Sequence, residues 1–306
     1  MAKATRVSFG EQLVELGATH PEVVVFDADL SKSTQSFLFA AKYPERFFEM
    51  GIQEHNMIGA AAGMALSGKK PFICSFSTFV VGRFEVIRMS LGYSEANVTV
   101  VGTHCGVAIG EDGYSQMALE DIALMRTLPN MTIIQPADDR EAKAAVNFLA
   151  DHQNPAFLRL TRQGLEELHG EDYEFRFGKA DVIREGTDAV IFATGGVVYN
   201  SLKAAEALQE KGLNIRVVNI HTIAPLDVEY VVQAARETGR VITVEDHSIV
   251  GGLGGAIAEA LGEHQPTLMK RIGMTTYGRS GTPEDLYVHF GLDTEGIRKQ
   301  VAEFLL

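Results

Sequence analysis

The segment Met50-Gly51-Ile52-Gln53-Glu54-His55-Asn56-Met57-Ile58-Gly59-Ala60-Ala61-Ala62-Gly63-Met64 sets a carboxylate and an imidazole at the entrance to a helix of small residues. A carboxylate entering such a helix is largely stripped of water, and a desolvated acid gains most from a strong hydrogen bond to a ligand nitrogen. Read alone, Glu54 is equally an acid favoured at a helix N-terminus by the peptide dipoles. Phe76-Ser77-Thr78-Phe79 follows an apolar run. Two aromatics three apart at a strand end suit a stacking floor for a flat heterocycle, and they also suit a core. A third segment, His104 to Asp121, is long, polar and glycine-rich and follows another apolar run. Loops of that kind over a rigid sheet often carry function. Asp112-Gly113 imitates the metal-binding aspartate of a Gly-Asp-Gly diphosphate motif. Glu111 precedes it, however, and no suitably placed asparagine follows, so no metal ligand is assigned in this chain.

The elements that must position these groups are short and regular. Val23–Phe26, Pro71–Cys74, Val98–Val101, Met131–Ile134 and Phe157–Leu160 are near-continuous apolar runs, the pattern of parallel strands buried on both faces. Helical patterns over Phe9–Leu16, Asn56–Leu66, Phe84–Leu91 and Arg140–Leu149 lie between them. Ala189–Phe192, Ile215–Val218 and Val241–Val244 start a second series, with helices including Ser201–Gln209 and Ile257–Leu261. Strand and helix in alternation predict an α/β fold of two doubly wound domains with largely parallel sheets. The charged stretch Gln163–Gly186 interrupts the alternation, which places the domains at 1–165 and 179–306 with a linker at 166–178. In open parallel sheets ligands bind at the carboxyl ends of the strands, where Asp29, Ser33, Glu54, Ser75, His104, Asp112 and Arg162 fall.

The composition narrows the partners. Lys and Arg number 27 against 40 Asp and Glu, a formal charge of −13, which disfavours general binding to nucleic acid or anionic membrane. The two cysteines, Cys74 and Cys105, have neither disulfide-framework nor zinc-ligand spacing and read as reduced thiols of a cytoplasmic protein. The N-terminal residues show no apolar signal core, and no apolar run approaches the ~20 residues of a membrane span.

Taken in order, Ile-Gln-Glu-His-Asn-Met around Glu54, the Phe76/Phe79 pair and Gly-Glu-Asp-Gly-Tyr-Ser-Gln-Met-Ala-Leu-Glu-Asp around Asp112 resemble the pyrimidine-binding and C-terminal domains of the transketolases over essentially the whole chain. The resemblance implies thiamine diphosphate as cofactor and transfer of a two-carbon ketol unit from a ketose phosphate to an aldose phosphate. It also implies the C-terminal subunit of a split enzyme. A separate N-terminal subunit would carry the diphosphate site and its Mg2+, in an α2β2 assembly by the symmetry of the family.

The resemblance assigns roles residue by residue. Glu54 bonds the pyrimidine N1′ and favours its imino tautomer, Phe76 and Phe79 stack on the ring, and Asp29 frames the pocket. Arg83 stands close to where relatives have a further aromatic or basic contact. Arg6, Ser33, His104 and Arg162 match positions that hold the substrate phosphate, a donor set that suits a dianion. Asp112 contacts a substrate hydroxyl. Gln116 stands where many relatives have histidine, and it can hydrogen-bond substrate oxygens without shuttling a proton. Glu245-Asp246-His247 and the glycines Gly251 to Gly255 read as packing rather than a nucleotide loop, and His221 and Asp227 carry no assignment. Two other readings are the β subunit of a thiamine-dependent 2-oxo acid dehydrogenase, which needs no phosphate clamp, and a non-catalytic scaffold.

Overall fold

The structure is a computed structural model that describes residues 2–306. The apolar runs form two sheets. In the first the strand order is Thr222–Ala224, Thr132–Ile134, Ala156–Arg159, Thr99–Thr103, Lys70–Phe76, Val23–Asp27, Phe47–Glu49. All neighbours are parallel except the edge strand Thr222–Ala224, which runs antiparallel to Thr132–Ile134. The second sheet has the order Leu268–Met274, Arg240–Ser248, Ala189–Ala193, Ile215–Asn219, Asp181–Arg184, again parallel apart from its last member. Val23–Asp27, Lys70–Phe76 and Thr99–Thr103 are buried at every position, as a sheet covered by helices on both faces requires.

Three departures from the sequence pattern bear on the site. The first is that Thr222–Ala224 comes from the second half of the chain yet completes the sheet of the first, so the two halves interlock. The second concerns the stretch after Leu165, where the charged linker of the sequence reading is held by specific side-chain contacts. His169 Nδ1 lies 2.7 Å from Asp138 Oδ2 and Nε2 lies 2.8 Å from Asp181 Oδ2. Burial opposes charge on this ring, but the hydrogen bonds of Asp138 and Asp181 outweigh it and raise the His169 pKa to about 10. Phe175 and Phe177 pack against Phe148 nearby. The third is that the segment expected as a helix over Phe84–Leu91 begins with an α-turn at Phe84–Val86 and widens to π-helix over Ile87–Tyr93.

The helix Glu54–Leu66 packs its Met57, Ile58, Ala61 and Ala62 into the core. Its glycines do not pack within this chain: a Cβ placed on Gly59 or Gly63 meets nothing within 4 Å. Ile52 just before the helix and Leu66 at its end are 76% and 66% exposed. Among the described residues no helix is long and apolar enough to cross a membrane.

Candidate active site

The last two residues of Lys70–Phe76 join two parts of the site. Ser75 Oγ donates to Glu54 Oε1 at 3.2 Å. Glu54 is the first residue of its helix and only 5% exposed, and Ser75 is the one side-chain partner it has among the described residues. On the neighbouring position Phe76 is flanked by Phe79, with centroids 5.6 Å apart and planes 9° apart, and by His104, at 3.8 Å and 24°. Phe76 is therefore nearly covered, while Phe79 on the short helix Ser77–Val81 stays half-buried and offers the more open ring. Among the described residues no polar contact joins Arg83, exposed four positions beyond Phe79, to this group.

His104 brings the cations in. Its backbone is in the left-handed region at φ 61°, sparsely populated for a non-glycine residue, and this follows directly on the strand Thr99–Thr103. The ring is tied to Thr103 Oγ1 at 2.9 Å. Burial first, then the charges of Arg6 and Arg162, push the His104 pKa down to about 3, so the ring is neutral through the physiological range. Arg6, in the first turn of the helix Thr5–Thr19, donates from Nη1 to the Ser33 carbonyl, and its buried Nε has no partner among the described residues. Burial and the neighbouring Arg162 charge both lower the Arg6 pKa. Arg162 donates to the Ile109 carbonyl at 2.5 Å and lies 3.5 Å from Asp112 and 3.9 Å from Glu111. The structure thus brings Arg6, Ser33, His104 and Arg162 to one place and pairs Asp112 with Arg162. Two guanidiniums beside a neutral imidazole, with an orphaned N–H, form a cationic pocket that an oxyanion would relieve.

Asp29 and Gln116 stand further out. Asp29 is exposed at φ 63°, and its N–H is held by Glu49 Oε1 at 2.8 Å. Gln116 is half-buried on the 3-10 turn Tyr114–Gln116.

Sequence reasoning passed over Asp27, which is fully buried. It accepts from Leu30 N at 2.7 Å, Thr34 Oγ1 at 2.7 Å and Ser36 Oγ at 2.8 Å. Burial raises its pKa to about 6, with those hydrogen bonds pulling the other way. It folds the turn Ser31–Thr34 that carries Ser33. An acid closing a run of three valines and a phenylalanine was the available signal.

Comparison with known proteins gives a consistent result. The sequence profile described as transketolase, pyrimidine binding domain, matches residues 1–168, and that of the transketolase C-terminal domain matches 178–297. A Methanocaldococcus jannaschii protein carrying the name transketolase C-terminal section is 43% identical over 306 residues, covering 98% of this chain and 96% of that protein. A Phocaeicola vulgatus protein that is one subunit of an apulose-4-phosphate transketolase is 39% identical, covering 99% and 97%. A solved structure described as a split gene transketolase, inactive beta4 tetramer, has a TM-score of 0.92 and 42% identity, covering 99% of this chain and 98% of that one.

Proposed function

Because the chain belongs to the transketolase family, we propose that it acts with a separate N-terminal subunit as a thiamine diphosphate-dependent transketolase. The pair moves a two-carbon ketol unit from a ketose phosphate to an aldose phosphate. In this reading residues 1–165 are the pyrimidine-binding unit, 166–178 the linker and 179–306 the C-terminal unit. The partner supplies the diphosphate site with its Mg2+, and the assembly contains two copies of each chain. Relatives of matching length that are named as a section or a subunit support the division between chains. The outward glycines of Glu54–Leu66 support a partner packed against that helix.

The observation that carries the reading is a single line of contacts: Glu54 to Ser75, Phe76 to His104, and His104 beside Arg6 and Arg162. A buried acid, an aromatic face and a cationic pocket are strung along one strand end. The residues present fit the pyrimidine end of thiamine diphosphate. Glu54 is a buried carboxylate with spare acceptor capacity, and Phe79 is a half-open ring. When bound, the cofactor supplies the nucleophilic carbon and the electron sink. Glu54 holds a proton at the ring nitrogen, and Ser75 fixes the carboxylate that does so. Phe79 with Phe76 behind it, Asp29 and Arg83 line the pyrimidine pocket. Arg6, Ser33, His104 and Arg162 bind the phosphate, and Asp112 and Gln116 orient substrate hydroxyls. Arg162 exchanges its hold on Asp112 for the phosphate, which frees Asp112 for the sugar.

The assignment is tested by mixing the chain with its N-terminal partner, thiamine diphosphate and Mg2+. Two-carbon transfer between a ketose phosphate and an aldose phosphate is then compared with pyruvate decarboxylation. Transfer without pyruvate turnover is expected. Pyruvate turnover, or a folded complex inert to both, overturns the assignment.

A further inference from the structure

The loop that carries His104, Asp112 and Gln116 is held in part by the second sheet. Its 3-10 turn Val107–Ile109 follows Gly106, which has no side chain to cap the turn's first N–H groups. The cap comes from 139 residues away: Val107 N–H donates to Asp246 Oδ1 at 2.9 Å. Asp246 lies near the end of the strand Arg240–Ser248 and is 4% exposed. Its other oxygen accepts the Tyr287 hydroxyl at 3.1 Å, and that hydroxyl accepts from Gln163 Nε2 at 2.8 Å. Gly106 adopts φ 78°, and a Cβ there would stand 2.0 Å from Asp246 Oδ2, so only glycine admits the carboxylate this close. At the far end of the turn the Ile109 carbonyl accepts Arg162.

The neighbours of Asp246 do other things. Glu245 caps the helix Leu253–His264 through Leu253 N and Gly254 N at 2.7 and 2.8 Å. His247 lies 3.6 Å from Asp121, beneath the loop's end. Asp246 alone has its carboxylate on the turn between His104 and Asp112.

We propose that Asp246 is a positioning residue for the phosphate pocket: by capping Val107–Ile109 it sets where His104 stands and where Arg162 is anchored. The inference gives the second domain a part in the reaction, and it rests on the phosphate reading of Arg6, Ser33, His104 and Arg162. A merely structural role would weaken the fold or all substrates alike. A positioning role acts selectively on phosphate.

The test uses Asp246→Ala, Asp246→Asn and Tyr287→Phe in the full chain. Amide hydrogen exchange over Val107–Ile109 needs no cofactor or partner. Asp246→Ala should speed it by about tenfold or more, and Tyr287→Phe by less, because an uncapped buried donor forfeits a charge-assisted bond. Asp246→Asn keeps an acceptor for Val107 and should restore most of the protection. In the complex, Asp246→Ala should raise KM for a phosphorylated donor about tenfold. It should lower kcat/KM for the unphosphorylated ketose much less than for the phosphorylated donor, and leave the affinity for thiamine diphosphate within about twofold of the parent. Unchanged exchange in Asp246→Ala overturns the cap, and if that variant does not fold, unchanged exchange in Tyr287→Phe does so. Equal losses with both donors overturn the selective role. Should the parent complex transfer no ketol unit, the family reading of the substrates fails while the exchange result still decides the cap.

Discussion

Glu54→Ala in the assembled enzyme is expected to lower two-carbon transfer by roughly 10²- to 10⁴-fold, the range a positioned proton-transfer group supplies. The chain should fold nonetheless. Among the described residues Glu54, 5% exposed, has one hydroxyl partner at 3.2 Å and no cation paired to it, so its removal leaves no stranded opposite charge. The loss of a favourable helix-terminal acid, ~0.3–1 kcal/mol, is offset by relief of a desolvated carboxylate. Turnover and melting temperature should therefore separate: a large fall in the first, a shift of a few degrees at most in the second. Glu54→Gln keeps the shape and the bond from Ser75 but cannot carry the proton, and it should fall nearly as far. Near-normal turnover in either variant refutes the role.

The second large effect is on stability and comes from Arg159. This side chain is 1% exposed, and its Nε donates to Asp121 Oδ2 at 2.9 Å. Its Nη2 donates to the carbonyls of Ala118 at 2.9 Å and Asp246 at 3.1 Å. Burial alone would lower the Arg159 pKa, but Asp121 and then Cys105 beside it hold it above the ordinary arginine value. Burial likewise works against ionised Asp121, and Arg159 with His247 outweighs it. The ion pair thus fastens the end of the His104–Asp121 loop to the first sheet, the bond from Arg159 to the Asp246 carbonyl carries the tie on to the second sheet, and Ser77 Oγ, donating to Asp121 at 2.7 Å, ties in the helix that bears Phe79. Arg159→Met leaves a buried carboxylate without its cation and should cost about 3–5 kcal/mol in the urea-unfolding free energy. The double variant Arg159→Met, Asp121→Asn should be more stable than Arg159→Met alone, because the second change removes the stranded charge. Strict additivity of the two single costs would show that the pair does not act as a unit.

What was legible in the sequence follows from the range of the interactions. Val23–Asp27, Thr99–Thr103 and Ala189–Ala193 announce themselves because each is a continuous apolar run, and burial on both faces needs nothing else. Thr222–Ala224 gives no such signal: three residues become a strand only because Ile133 and Ile134 offer an edge. Phe47–Glu49 is equally short and depends on its neighbour Val23–Asp27. Glu54, His104 and the cluster of Arg6, Ser33 and Arg162 could be grouped only through family resemblance, and taken singly each kept a bland alternative. Asp27 and Arg159 were given no role, and Asp246 was read only as packing. Each is a charged residue at the end of an apolar strand, and the meaning of each depends on partners that only the fold brings close. Tyr287, in the unremarked helix Pro283–Phe290, is another such case.

On the proposed reading this chain supplies one wall of a cofactor crevice and a partner supplies the other. Calorimetric titration of thiamine diphosphate with Mg2+ into the chain alone, the N-terminal partner alone and their mixture tests it most directly. Tight saturable binding is expected only in the mixture, with one site per copy of this chain. Tight stoichiometric binding by the chain alone, or by the partner alone with no gain on mixing, would contradict it.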